Sequence, residues 1–219
     1  MSLANHNYKN RKYNNMVKAN NKEKKPVVPV QQCSYFMQHG DKPVVKEMTP
    51  SASWTLKDIA TYVRSNVGAK RATEYLRSLS DEDAQKEFKK RNFDMIIPGG
   101  TLKSRVKGKN EVTPNGECCL DIDHINEDIV EALFNDFIAD KELPIDLMFR
   151  SPRGHGLKIF MRYDPQEITH KEFYNDISVR IFCKYGVMAD MACADITHTC
   201  LLPYDPNVYF DSSGNVVKL

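Results

Sequence analysis

Asp121 and Asp123 stand in the run Cys118-Cys119-Leu120-Asp121-Ile122-Asp123-His124. Apolar residues leading into Asp-x-Asp read as a strand, and the i, i+2 spacing puts both carboxylates on one face of it. Two carboxylates so close repel each other. A divalent cation settles such a pair, and an all-oxygen donor set favours magnesium or manganese. A metal of that kind serves best where a substrate brings its own negative charge, which in practice means phosphate. The competing reading is a solvated strand end or a helix cap. Asn126-Glu127-Asp128 opens an apolar helical pattern just downstream, so both readings stand on local grounds.

Two later segments bear on the choice. Leu147, Met148 and Phe149 form a short apolar strand that runs into Ser151-Pro152-Arg153-Gly154-His155-Gly156, and a second strand leaves through Leu157-Lys158-Ile159-Phe160-Met161-Arg162. Arg153, His155 and Lys158 are held near that turn. Cations and backbone N–H groups at a glycine turn make a phosphate-binding concavity, and an ordinary hairpin with a basic tip is the alternative. The other segment is Ala194-Asp195-Ile196-Thr197-His198-Thr199-Cys200-Leu201-Leu202-Pro203. Here an acid precedes an apolar strand that ends in a Pro/Asn turn. Asp195 brought beside Asp121 and Asp123 would complete a metal cage. A turn or N-cap aspartate explains it equally well.

In this order the three pieces resemble the archaeo-eukaryotic primase/primase-polymerase superfamily. More particularly, the chain resembles the N-terminal domain of Bacteroides virulence-associated-E-like proteins of mobile elements. The resemblance covers roughly residues 90 to 210. It implies an RRM-like catalytic sheet and nucleotidyl transfer with Mg2+ or Mn2+ as cofactor. DNA, single-stranded or as primer-template, and nucleoside triphosphates would be the partners, with a helicase as a further partner or as a fused domain. Asp121, Asp123 and Asp195 would be the catalytic, metal-holding carboxylates. Ser151, Arg153, His155, Lys158 and His198 would hold the nucleotide. The second superfamily motif normally places a histidine on the outgoing strand, and Lys158 stands there in this sequence. Lysine holds phosphate as a point charge. His198 stands where an arginine often follows the third motif. Two other readings stay open: a catalytically silent nucleic-acid-binding module that recruits a helicase or replication partner, and a phosphodiesterase using the same carboxylates. On the metal reading Asp121 and Asp123 belong on a central strand, with the three carboxyl groups within roughly 4–8 Å of one another.

Composition bounds the rest. A chain of 219 residues is long enough for one domain with a good core. The net charge of +2 is too small to argue for nucleic acid by itself. Its distribution says more: Lys9, Arg11, Lys12, Lys18, Lys22, Lys24 and Lys25 face the single acid Glu23. Residues 1–26 therefore read as a disordered basic arm, and 27–219 as one domain. Lys103, Arg105, Lys107 and Lys109 form a second basic segment next to the Asp pair, suited to a nucleic-acid backbone or to a charged hairpin. No run suits a signal peptide or a transmembrane helix, so a cytoplasmic protein with no membrane partner is expected. Cys33, Cys118, Cys119, Cys183, Cys193 and Cys200 form no C-x-x-C pair and read as reduced thiols. Cys193, His198 and Cys200 lack a fourth zinc ligand with sensible spacing.

The elements that must position these residues follow from periodicity. Strands are expected at Cys33 to Met37 and at Val44-Val45 around a Gly40-Asp41 turn, and near 93–98, 146–150, 156–163, 199–203 and 207–210. Helical spacing covers Trp54 to Val63 with Ser53 as N-cap, then 69–79, then Ser80 to Arg91. Ile129, Leu133, Phe134, Phe137 and Ile138 mark a helical apolar face, and Thr169 caps a long helix that ends near Gly186. Without regular strand–helix alternation, the pattern predicts an α+β fold: a mostly antiparallel sheet with helices packed on it.

Overall fold

The structure, a computed structural model, describes residues 31–217 apart from 41, 107 and 109. The expected basic arm, Lys107 and Lys109 lie outside the described residues. The described residues form an α+β fold, with antiparallel sheets and five helices.

The C-terminal sheet carries the chemistry-bearing segments. It is built from β6 (Glu117–Ile122), β7 (Ile145–Arg150), β8 (Leu157–Arg162) and β10 (Tyr209–Phe210), in the order β10-β7-β8-β6. Helix α4 (Glu127–Ala139) crosses from β6 to β7, and β8 inserts between them, antiparallel to both. Helix α5 (His170–Tyr185) follows β8. β6, α4 and β7 with β8 between the two strands make a split β-α-β unit, and β10 closes the sheet beside β7 rather than beside β6. Alternation assigns the faces. Cys118, Leu120 and Ile122 of β6 and Leu157, Ile159 and Met161 of β8 pack with Val130, Leu133, Phe134 and Phe137 of α4 and Phe173, Tyr174 and Ile177 of α5. Ile129 and Ile138, expected on the buried face of α4, are exposed. The buried stripe lies over Val130 instead, one residue round the helix.

A second sheet covers the other face. Its strands are β1 (Cys33–Phe36), β2 (Ala52–Trp54), β3 (Met95–Ile97) and β9 (Cys200–Leu201), in the order β2-β1-β3-β9. Tyr35, Ile96 and Cys200, with Leu56, Ile59, Ala60 and Val63 of α1 (Leu56–Ser65), close over Leu147, Phe149 and Phe160. Two layers therefore bury β8 on both sides, and every one of its residues is buried. Helices α2 (Val67–Ser78) and α3 (Glu82–Arg91) follow α1. Strands β4 (Gly100–Leu102) and β5 (Val112–Pro114) form a separate antiparallel pair.

Two local expectations give way. Val44–Lys46 is a 3-10 turn, because Pro43 offers its carbonyl to Lys46 N–H at 2.9 Å and Val44 is needed in the cluster with Phe36 and Ile97. The partner of β1 is instead β2, so Ser53 and Trp54 are strand residues. Helix α1 starts later, with Thr55 as N-cap and Asp58 closing a capping box. The caps of α5 stand where the sequence puts them: Thr169 with Glu172 at the start, and Gly186 at φ 71° at the end. Among the described residues no helix is long and apolar enough to cross a membrane.

Candidate functional site

Register places a cation directly opposite the first carboxylate. On the β6–β8 ladder Asp121 faces Lys158, and their side chains form an ion pair. Lys158 Nζ also lies 3.8 Å from Asp123 Oδ1. Lys158 thus stands against both carboxylates, where the sequence reading has it facing phosphate. β6 is the outer strand of its sheet rather than a central one. Its exposed backbone edge is covered at this point by Asp190 N–H, which donates to the Asp121 carbonyl at 2.8 Å.

Asp123 follows the last residue of β6. His124 behind it has φ 57°, the one left-handed non-glycine among the described residues. The reversal lets Ile125 N–H donate to the His155 carbonyl at 2.9 Å, which ties the Asp123 loop to the β7–β8 turn. Gly156 is required in that turn. A Cβ there would stand 2.6 Å from the Ile122 carbonyl and 2.8 Å from Asp123 Oδ1.

The 3-10 turn 191–194 adds donors that the sequence reading did not join to Asp121. Cys193 Sγ lies 3.1 Å from His198 Nε2 and 3.7 Å from Asp121 Oδ2. Asp121, Cys193 and His198 are the one group of possible metal ligands among the described residues whose donor atoms all fall within 4.8 Å of one another. Asp123 and Asp195 are outside that group. Cys200 is also outside it: it lines the same narrow cavity, but its thiol is hydrogen-bonded with the Cys119 thiol. Burial first, then Asp190, pushes the Cys193 thiol up to about 12. Burial first, then Lys158, lowers the His198 imidazole. Both shifts favour the neutral thiol and the neutral imidazole, and the thiol also lies 3.7 Å from Asp190 Oδ2. Asp121 Oδ1 is buried and has no hydrogen-bond partner.

Asp195 is occupied locally. Its Oδ1 accepts from Thr197 N at 2.7 Å and Thr197 Oγ at 2.6 Å, and these bonds hold its carboxyl below the usual range. It still shares a narrow cavity of about 10 Å³ with Asp121, Lys158, Cys193 and His198. His170 lines the same cavity, and burial lowers it to about 4.

A larger cleft of about 760 Å³ opens over the Asp pair. Ser151, Arg153, His155, Lys158 and His198 all line it. The Ser151 backbone closes the turn, its N–H donating to Gly156 O at 2.8 Å. Arg77 Nε donates to Pro152 O at 3.1 Å and pins the turn from α2. Arg153 Nε is buried without a hydrogen-bond partner, and His155 Nε2 stands 2.7 Å from Glu127. The wall opposite holds Lys89 and Lys90 of α3, which the sequence reading passed over. The signal was there in the basic last turn Lys89-Lys90-Arg91. Burial first, then Arg153, lowers the Lys89 ammonium. Lys103 is exposed. Arg105 is not among the residues lining the cleft; it donates to the carbonyl of Val45, which does line it, at 2.8 Å and lies over the Phe36 ring.

A family model described as BT4734-like, N-terminal domain, matches residues 88–210. The chain belongs to this family. The match takes in β3 to β10 and so the whole C-terminal sheet of the BT4734-like domain, while β1, β2, α1 and α2 precede it. No curated protein and no solved structure matches the chain significantly.

Proposed function

We propose that this BT4734-like domain is a primase-polymerase-like domain of a mobile-element replication protein, acting on DNA and nucleoside triphosphates in the 760 Å³ cleft. The observation that carries the reading is the cleft's charge layout. Asp121 and Asp123 stand on its floor, and Arg153, His155, Lys89 and Lys90 stand around them. Carboxylates for a cation beside cations for phosphate are what metal-assisted phosphoryl transfer needs.

The residues fit a hard cation in part. Asp121 Oδ1 is an orphaned buried acceptor, Asp123 is open to the cleft, and Asp195 has one oxygen engaged by Thr197. Mg2+ or Mn2+ bound by Asp121 and Asp123, with Asp195 nearby, would offset the charge that develops on a triphosphate. The unpartnered Arg153 Nε is the donor best placed to receive a phosphate oxygen. Lys89, Lys90 and the exposed Lys103 supply charge for a nucleic-acid backbone. The 1–26 arm would add to the same salt-dependent term, and a helicase would act as partner or fused neighbour.

A second reading has its own observation. Lys158 lies against both carboxylates, so one ammonium already supplies the charge that a metal would. This favours a catalytically silent nucleic-acid-binding module. Primer synthesis and extension with Mg2+ or Mn2+, beside anisotropy with labelled single-stranded DNA, decide between them. Incorporation that vanishes in Asp121→Asn with Asp123→Asn, while DNA binding persists, supports the enzyme. Binding without incorporation by the wild type with either metal, across several templates, overturns it in favour of the silent module. Absence of binding overturns both.

A further inference from the structure

We propose that Asp121, Cys193 and His198 form a zinc site under the floor of the cleft, with a fourth position open to water or a phosphate oxygen. The site shares Asp121 with the pair above and uses neither Asp123 nor Asp195, so it stands whether or not the domain transfers nucleotides.

The three ligand atoms are gathered at close to tetrahedral spacing. Zinc bonds of about 2.0–2.3 Å in a tetrahedron put ligand atoms roughly 3.3–3.6 Å apart. Two separations, 3.1 Å from Sγ to Nε2 and 3.7 Å from Sγ to Asp121 Oδ2, lie on either side of that range, and all three ligand atoms fall within 4.8 Å of one another; Asp121 Oδ2 also carries the ion pair with Lys158, and Oδ1 is the oxygen left over for the metal. The adjoining cavity of about 10 Å³ has room for a single ion or water. Asp121 Oδ1 is buried with no donor to satisfy it. Glu117 Oε2 and Asp146 Oδ2 are also without a hydrogen-bond partner, but Asp121 Oδ1 is the one beside a thiol and an imidazole, and a bound cation would remove the cost of leaving it unsatisfied.

The ligands are already held in place. Asp190 N–H fastens the turn to the edge of β6 at the Asp121 carbonyl, and Asp190 Oδ1 accepts from Ala192 N at 2.9 Å. His198 N–H donates to Asp195 O at 2.8 Å, which fixes the second ligand five residues after the first. Little ordering is left for the metal to impose.

The donor set selects the metal. A thiolate and an imidazole beside one carboxylate suit zinc, whereas magnesium wants oxygen alone. On binding, the Cys193 thiol gives its proton to solvent and Sγ becomes the ligand. The ion's two positive charges then meet one thiolate and one carboxylate. Lys158, ion-paired with the same Asp121 carboxylate, adds one positive charge, and the neighbouring Asp123 carboxylate offsets it. Three protein ligands leave the fourth position free, the arrangement of a site that takes a water or substrate oxygen.

The test uses the full chain, reduced and stripped of metal with a chelator. Zinc should bind at one equivalent per chain and resist excess magnesium. Cobalt in the same site should show the intense visible bands of a tetrahedral centre. Cadmium should give the ultraviolet thiolate charge-transfer band. Cys193→Ser and His198→Ala should weaken zinc by more than about a hundredfold, whereas Cys200→Ser, Cys183→Ser and Asp123→Asn should keep it. Asp123→Asn also separates this site from nucleotidyl transfer, which that change should impair. The cobalt spectrum of the wild type needs no variant and guards against misfolding of Cys193→Ser. A wild type that binds no zinc, an octahedral cobalt spectrum, or an equivalent that survives Cys193→Ser and disappears with the exposed Cys183 each overturns the proposal.

Discussion

The β6–β8 ladder carries two carboxylate–cation clusters built on one plan. Asp121 stands opposite Lys158, and four residues away Glu117 stands opposite Arg162. Both pairs project from the same face, and each has a second carboxylate: Asp123 in one, Asp146 in the other. Their surroundings differ. The Glu117 side chain is 0% exposed and Asp146 2%, while Asp123 is 42% exposed. Arg162 donates to Glu117 Oε1 through Nε at 3.0 Å and Nη2 at 2.8 Å, and its Nη1 reaches Gly214 O at 3.4 Å. Nothing can enter there. At the other end a lysine, with one compact charge rather than a guanidinium fork, meets a cleft and a Cys193–His198 pair. The same register therefore yields a structural lock where it is sealed and a candidate site where it is open. Access and neighbouring donors make the difference, not the pairing itself.

Four measurements break or sharpen that contrast. The largest effect is expected at the open end on activity. Asp121→Asn with Asp123→Asn should cut metal-dependent incorporation by more than about a hundredfold, since a cation contributes several kcal/mol there. Its thermal midpoint should move much less than that of a sealed-end variant. If stability collapses instead, the open cluster is a lock like its neighbour.

Next comes the sealed end. Arg162→Leu leaves the buried Glu117–Asp146 pair, which shares one proton and one negative charge at neutral pH, without its cation and should cost about 3–5 kcal/mol in urea unfolding. A loss under about 1 kcal/mol would mean that the cluster relaxes into water, and the contrast in access would fail.

The third effect is a pH dependence. Burial first, then the Asp146 charge, pushes Glu117 up from 4.5 to about 8, and burial raises Asp146 from 3.8 to about 6. The folded chain thus holds protons that the unfolded chain has lost. Their stabilisation is complete below the unfolded values and fades as pH rises through about 6 to about 8. Unfolding free energy should fall over that window, and Glu117→Gln should flatten the fall. A profile that rises with pH, or one that Glu117→Gln leaves unchanged, would contradict a shared proton in this cluster.

The smallest effect is expected from Gly156→Ala. Its Cβ would crowd Ile122 O and Asp123 Oδ1. Relief should cost about 1–3 kcal/mol and shift Asp123 away from Lys158. A two-dimensional amide spectrum should show changes concentrated at residues 122–125 and 155–158. Changes spread over β6 and β8 down to Glu117 and Arg162 would mean that the two ends do not behave separately.

Much of the site was legible before any fold was known, because the signals are local. Asp-x-Asp at a strand end, a glycine turn with basic residues, and the Thr169 and Gly186 caps depend on dihedral preferences and short hydrogen bonds. The α+β pattern follows from alternation and 3.6-residue periodicity in the same way. Misplaced elements have local look-alikes. Val44-Val45 is as apolar as a strand, yet Pro43 and the demand for Val44 in a cluster make it a turn. Ser53 is a fair N-cap by type, but β1 needs an antiparallel partner and takes Ser53 into β2. Lys89 and Lys90 read as an ordinary basic helix end, and only the packing of α3 brings them to the cleft.

By itself, then, the sequence determined which residues could bear chemistry and which short elements would carry them. Strand and helix periodicity, capping and turn geometry act within a few residues, and their physics is written in adjacent side chains. Tertiary structure alone decided the partners. Lys158 sits opposite Asp121 because β8 inserts between β6 and β7 in one register, and a shift of one residue would turn it to the other face. Cys193 meets Asp121 because Asp190 docks on the edge of β6, across 72 positions of chain. Which charges end up buried together, and which face a cleft, depends on that long-range closure.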